Sequence, residues 1–377
     1  MRSKSNVKII LFAEEHRDQL LELFKRLGSP SVSLNDPFFR WKYDLNPNAA
    51  KGAMFLAMAE GRVVGARGFM ASAWKTNLPG CEFIPLAGDT TIHLDFEGTG
   101  LVQLLTEAGR QYFAERGVAV LFNTSASPAV HFLSLRTGWK AIGKYQILGG
   151  YAAQPFWFRG ARKIAEKTPL LWRLVSSRFL PGFATIDEHS RLPQSSNRHQ
   201  HSLSISNNLD PSDAAALVDA HSSAGKHVMV RDAAFFAWRF KNPYYRYHFL
   251  TCREGGQLAG YFALRQSLND QSGNVRIIDW FCAELSVFRR LLAATLHFRG
   301  NRFEIAAMAL TSDEVSELRH NGFTDVTPIP PEGIKKSLKY QPSVLALSTG
   351  VHTESFTKLV AGGFELVDFK GIESDCT

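Results

Sequence analysis

The sequence predicts a mixed α/β protein built twice: two tandem domains, each a mixed central sheet flanked by helices. Three observations predict it. The phrase "FFRWKYDLNP" at 38–47 returns as "FFAWRFKNP" at 235–243. The order of apolar patterns around the two phrases agrees from end to end, which marks a duplicated domain. The chain of 377 residues is also too long for one ordinary core.

The first copy spans 1–150. Leu20, Leu21, Leu23, Phe24 and Leu27 recur at helical spacing within 13–27, and Gly-Ser-Pro at 28–30 stops the helix. The aromatic phrase follows. Phe39, Trp41 and Tyr43 alternate, as do Phe236, Trp238 and Phe240, so they read as core anchors at the start of each domain. Asn46-Pro47 and Asn242-Pro243 then set a turn. "AMFLAMAE" and "VVGARGFMASAW" alternate as two strands joined by "EGR", and "FIPLAGDTTIHL" is a third strand. "EGTG" opens the helix "LVQLLTEAGRQYFAERG". "VAVLFNT" is a short buried strand, and "SPAVHFLSLRTGW" a helix ended by Gly138.

The second copy, 206–377, repeats the order. "PSDAAALVDAHSSAG" is a helix, and "HFLTCREGGQLAGYFALRQ" two strands around a Gly-Gly turn. "NVRIIDWFC" is a strand, "SVFRRLLAATLHFRG" a helix, "FEIAAMAL" a strand, and "SDEVSELRHNGF" a helix ended by Gly322. Between the copies, 151–205 holds a basic-aromatic helical segment and the breaker-rich linker "DEHSRLPQSSNRHQHS".

Composition narrows the classes. Apolar residues at 45% and charged residues at 21% are those of a globular chain. No run of 18 apolar residues exists to span a membrane, and the N-terminus has no signal-peptide pattern. Cys81, Cys252, Cys282 and Cys376 are scattered without a CxxC pair, which suits free thiols in a reducing cytoplasm rather than a disulfide frame or a metal site. His199 and His201 stand in the linker without partner ligands, so no metal is expected there. The net charge of +8 favours acidic partners in general and selects no specific nucleic acid sequence. Segment 156–178 would rest on an anionic membrane surface, or form an interdomain helix with a solvated basic face.

The stretch "TTIHLDFEGTGLVQLL" at 90–105 runs from a strand through a glycine turn into a helix. Glycines let a ligand approach the backbone, and a helix N-terminus offers free N–H groups and the positive end of its dipole. With its surroundings, the stretch resembles the GNAT acyltransferase family over residues 10–147, and the second copy resembles the same fold over 206–330. The aromatic phrase is also similar to one in GNAT proteins of surface-polysaccharide gene clusters. The resemblance implies that acetyl-coenzyme A, or another acyl-coenzyme A, binds along Ile92, Leu94, Phe96, Glu97, Gly98, Thr99, Gly100 and Leu101. Amides from Phe96 to Leu101 would hold the pyrophosphate, and the backbone at Ile92 and Leu94, with Asn123, the pantetheine arm. Glu97 departs from the family's Arg or Gln and sets a negative charge beside a polyanion unless it turns away. The second copy has no glycine at its matching turn, which carries Glu284, so it is expected to have lost the cofactor site.

Acyl transfer to an amine needs a proton acceptor, a polarised carbonyl and an acid for the leaving thiolate. Asp89, Thr91 and His93 share a face of an unbulged strand, and Asp89 or His93 would take the amine proton directly or through water. A bulge beside the loop would scramble that parity. The plainer reading is polar residues at the open end of a strand. The family's acidic Tyr is replaced by Ser134, with His131 one turn earlier as its substitute or simply a half-buried helix residue. Trp41 would stack on a sugar ring in an acceptor cleft. The expected activity is an N-acyltransferase acting on a small molecule or an amino sugar. Two rivals stand beside it: a Fem-like aminoacyl-tRNA-dependent peptidyl transferase, which would not need the Gly98–Gly100 turn, and a binding module without catalysis.

Overall fold

Two tight hairpins give both units their sheets. The computed structural model describes residues 7–124, 128–151, 186, 201–221, 226–268, 274–298, 301–306, 310–327 and 343–368. Segment 156–178, His199 and Cys376 lie outside them, and of His201 only the backbone is described. Strands β2 (Ala53–Ala59) and β3 (Arg62–Lys75) are joined by Glu60 and Gly61, at φ 51° and 75°. Two central residues with positive φ give the turn whose twist matches antiparallel strands. The "EGG" turn does the same in the other unit, with Gly255 and Gly256 at φ 57° and 84° between β10 (Tyr245–Glu254) and β11 (Gln257–Ser267).

The first unit comprises residues 1–145, 222–244 and 328–377, and the second 146–221 and 245–327. Each unit therefore draws chain from both sequence copies. In the first, β1 (Val7–Leu11) pairs with β2, β3 with β4 (Phe83–Ile92), and β4 with β5 (Val120–Asn123). Strand β15 (Ser343–Ser348), from the end of the chain, then stands between β5 and β6 (Lys140–Lys144), antiparallel to both. In the second unit, the order is β14 (Thr324–Asp325), β7 (Ile147–Tyr151), β13 (Arg302–Ala306), β12 (Asn274–Cys282), β11, β10 and β8 (His201–Ser206). Here β7, the last strand of the first copy, stands between β13 and β14 as β15 stands between β5 and β6. Each copy thus lends a late strand to the sheet built mainly from the other copy. Both sheets are mixed, and helices flank them: α3 (Leu101–Ala114) sets Leu101, Leu105, Gly109 and Phe113 against the first sheet, four residues apart. Gly109 allows that approach, because a Cβ there would lie 2.4 Å from the Phe69 ring.

The aromatic phrases are helical. Helix α2 (Val32–Phe39) runs on as a π turn over Arg40–Asp44, and α6 (Ala233–Arg239) is N-capped by the Asp232 side chain, α4 (Pro128–Arg136) and α5 (Pro211–Ala220) intervening along the chain. The alternation of Phe39, Trp41 and Tyr43 is therefore not that of a strand. Both phrases lie within the first unit and meet there. The Trp41 and Trp238 rings stack with centroids 5.1 Å apart and 10° between their planes. Trp41 Nε1 donates to the Trp238 carbonyl at 3.0 Å, and Trp238 Nε1 donates to the Trp41 carbonyl at 2.6 Å. Each buried indole N–H thus meets the other residue's buried carbonyl. The Asn-Pro ends also match: Asn46 Oδ1 accepts from Asn48 N at 2.7 Å and Asn242 Oδ1 from Tyr244 N at 3.0 Å. Both are side-chain-closed turns of the kind expected. Trp238→Ala removes the stack and the bond that Trp238 Nε1 donates, and the unfolding free energy of the first unit should fall by about 3–5 kcal/mol. Trp238→Phe keeps a ring but leaves the Trp41 carbonyl unpaired, and should cost about 1 kcal/mol. Urea unfolding followed by intrinsic fluorescence distinguishes the two.

Candidate functional site

The site begins where β4 breaks its pairing. Gly68 faces Gly88 and Ala66 faces Thr91, so Asp89 and Thr90 together oppose Arg67. That bulge sets Asp89 at φ 46°, a conformation Asp tolerates better than most residues. On its other side β4 pairs with β5 through Leu86 and Phe122, and no further pair joins them among the described residues. Beyond Leu86, β4 has no ladder partner on that side among the described residues. The chain then turns through a 3-10 turn, Leu94–Phe96, and Gly98 and Gly100 at φ 72° and 84°, into α3.

The loop amides divide into two sets. Those of Phe96, Glu97 and Thr99 donate to the carbonyls of His93, Leu94 and Phe96. Those of Gly98, Gly100 and the first helical residues, 101–103, have no backbone acceptor. The expected span of amides from Phe96 to Leu101 therefore narrows to Gly98, Gly100 and Leu101. A Cβ at Gly98 would meet nothing within 4 Å, so the surface above it is open. At the end of β5, Asn123 is buried, and the Thr124 hydroxyl beside it is buried with no partner. Free amides, an open glycine and an unpartnered hydroxyl fit the phosphate and amide groups of a coenzyme A.

Asp89 is engaged. Its carboxylate, 3% exposed, lies 2.8 Å from Lys42 Nζ, which is 1% exposed, and it accepts the Tyr43 hydroxyl. The aromatic phrase thus supplies Lys42 and Tyr43 as well as core rings. A Cβ on Gly68 would lie 1.8 Å from the Tyr43 hydroxyl, so that position has to be glycine for Tyr43 to reach. Arg67 donates to Thr90 Oγ1 at 2.7 Å, its Nε has no partner, and burial pushes its guanidinium down to about 10. His93 is outside the strand, and its Nδ1 accepts from Asp95 N at 3.3 Å. Ile92 offers its carbonyl to Arg26, Leu94 is 65% exposed, and Glu97 pairs with Arg26 Nη2 at 2.8 Å.

His131 and Ser134 are buried three residues apart on α4. Burial, with Lys144 adding to it, holds His131 below its ordinary value, which disfavours the imidazolium form that an acid role would need. Trp41 is 3% exposed beneath Trp238, which leaves no face for a sugar ring; its place is in the core because its indole completes the reciprocal pair. In the second unit, β12 leads through Glu284, extended and without glycine, into α7 (Leu285–Thr295), ahead of α8 (Ser312–His320). No group of His, Cys, Asp and Glu able to hold a metal, and no helix long and apolar enough to cross a membrane, occurs among the described residues.

Solved structures share this architecture. The fold is that of the GCN5-related N-acetyltransferases, in tandem. A tandem GNAT protein from the clavulanic acid biosynthesis pathway matches with a TM-score of 0.55 and 13% identity, over 92% of this chain and 99% of that one. A conserved protein of unknown function from Enterococcus faecalis V583, described as a probable N-acyltransferase, matches at 0.55 and 9% identity over 93% and 74%. A GCN5-related N-acetyltransferase from Anabaena variabilis ATCC 29413 matches at 0.54 and 13% identity over 90% and 72%. No protein-family model and no curated protein matches the sequence. Lys42, Tyr43, Arg67 and Arg26, none of them a sequence-based candidate for the site, contact Asp89, Thr90 and Glu97 of the candidate site. Lys42 and Tyr43 lay inside a phrase read as alternating core, and Arg26 inside a helix terminus.

Lys42→Met should destabilise the first unit by about 3–5 kcal/mol, because the Asp89 charge is left buried and unpaired. Lys42→Met with Asp89→Asn, which also tolerates positive φ, should recover most of that loss in urea titrations. His131 adds a pH dependence. Its proton affinity is lower in the folded chain than the ordinary 6.5. The unfolded chain therefore takes up the proton first, and stability is lost as pH falls below about 6.5. His131→Gln should narrow the difference between urea midpoints measured at about pH 7.5 and about pH 5.5.

Proposed function

We propose that the first unit binds an acyl-coenzyme A where the β4–β5 ladder ends and transfers its acyl group to the amine of a small molecule, amino sugars included. The observation that carries this reading is the end of the β4–β5 ladder beside a glycine turn whose amides at Gly98, Gly100 and Leu101 are free. Acyl-coenzyme A, when bound, supplies the acyl group as an activated thioester. The three amides and the N-terminus of α3 would hold its pyrophosphate. Asn123 and the Thr124 hydroxyl would meet the amides of its arm. Asp89 would act through Tyr43: the half-buried phenol takes a proton from the amine side while passing its own to the carboxylate it already bonds. Lys42, 2.8 Å from that carboxylate, holds it in place. The tandem GNAT protein and the probable N-acyltransferase support this reading through the fold they share with the chain.

Isothermal titration with acetyl-coenzyme A tests it. One equivalent should bind per chain, because the turn at Glu284 has no glycine. Gly98→Asn keeps the left-handed backbone, which Asn tolerates, but fills the open space with a side chain. Affinity should fall about tenfold or more while the thermal midpoint stays near the parent's. Parental affinity in the folded variant, or a stoichiometry of two, would count against the assignment.

A further inference from the structure

Glu97 places a carboxylate in the turn that should receive a polyanion, and the structure shows what becomes of it. Arg26, in the turn after α1 (Arg17–Phe24), donates Nη2 to Glu97 Oε1 at 2.8 Å and Nη1 to the Ile92 carbonyl. The direction of that carbonyl follows from its neighbour. His93 N–H donates back to the Val64 carbonyl, so the Ile92 carbonyl on the same peptide points away from β3. One guanidinium thus spans the strand end and the turn. Its flat fork suits two acceptors at once, which an ammonium would meet less well. Asp95, 3.7 Å from His93, is the other carboxylate of the turn. Without Arg26 the turn would present two carboxylates and no guanidinium.

We infer that Arg26 is the residue that lets the 93–100 turn accept a phosphate-bearing ligand, by drawing the Glu97 carboxylate aside and offsetting its charge. The family places a cation or an amide within the turn; this chain brings the cation from the end of α1. Arg26 is a positioning residue, and the inference rests on the coenzyme A reading above. A second consequence is that the Ile92 carbonyl reaches any ligand there only as a shared acceptor with Arg26.

The test is calorimetric binding of coenzyme A itself, without turnover, to the full chain and four variants. Arg26→Gln should weaken binding about tenfold at about 50 mM salt, and the defect should shrink at about 500 mM, where the charges are screened. Arg26→Gln with Glu97→Gln should return to within about twofold of the parent, since no uncompensated carboxylate remains. Glu97→Gln alone should bind at least as well as the parent. Arg26→Lys, which keeps the charge and the packing of the stem, should fall between the parent and Arg26→Gln. If the parent binds coenzyme A and Arg26→Gln binds equally well, or the double variant stays as weak as Arg26→Gln, the inference fails while the cofactor reading stands. If the parent binds no coenzyme A, the cofactor reading fails and takes the inference with it.

Discussion

A carboxylate shut away from water has to meet a cation, and in this chain that requirement ties the aromatic phrase to the site. Asp89 is 3% exposed and Lys42 is 1% exposed, with 2.8 Å between them. Losing either partner would strand a buried charge, a far larger penalty than the pair's own net gain. The pair also fixes geometry. Asp89 sits at φ 46° in a bulge, a conformation that costs about 1–2 kcal/mol and persists only where neighbours over-determine it. Lys42 and Tyr43 are those neighbours. The bulge lies just past Leu86, where the ladder between β4 and β5 ends.

The same phrase does its second task through Trp41. A helix that turns into a wider π turn places Trp41 and Lys42 both inward, one toward Trp238 and the other toward Asp89. Strand geometry would have sent consecutive side chains to opposite faces. The duplicated phrase is thus a matched pair of contacts, in which each indole satisfies the other's backbone carbonyl. Exchange of the last strand follows a similar economy: β15 gives β5 and β6 partners, and β7 gives β13 and β14 theirs, so strand edges that would otherwise invite foreign pairing are covered.

At the turn before α3 the electrostatics are built from distant parts of the sequence. A helix N-terminus and three free amides favour an anion, Glu97 opposes one, and Arg26 offsets Glu97 from seventy-one residues away. The balance is invisible to any reading that takes the turn as a self-contained motif.

The sequence by itself determined a great deal. Periodicity located the helices against each sheet, the "EGR" and "EGG" turns located both hairpins, and Gly98, Gly100 and the following helix located the candidate site. These are local signals, because turn chemistry and helical spacing are read over a few residues. Tertiary structure alone decided the rest. Whether Asp89 is a free base or half of a buried pair depends on Lys42, forty-seven residues earlier and on another element. Whether Trp41 faces a ligand or the core depends on Trp238 in the other copy. Nothing in the residues of strand 343–348 themselves says which sheet it joins. Pairing partners and charge partners are set by what the folded chain brings within a few ångströms, and that distance is not written in sequence order.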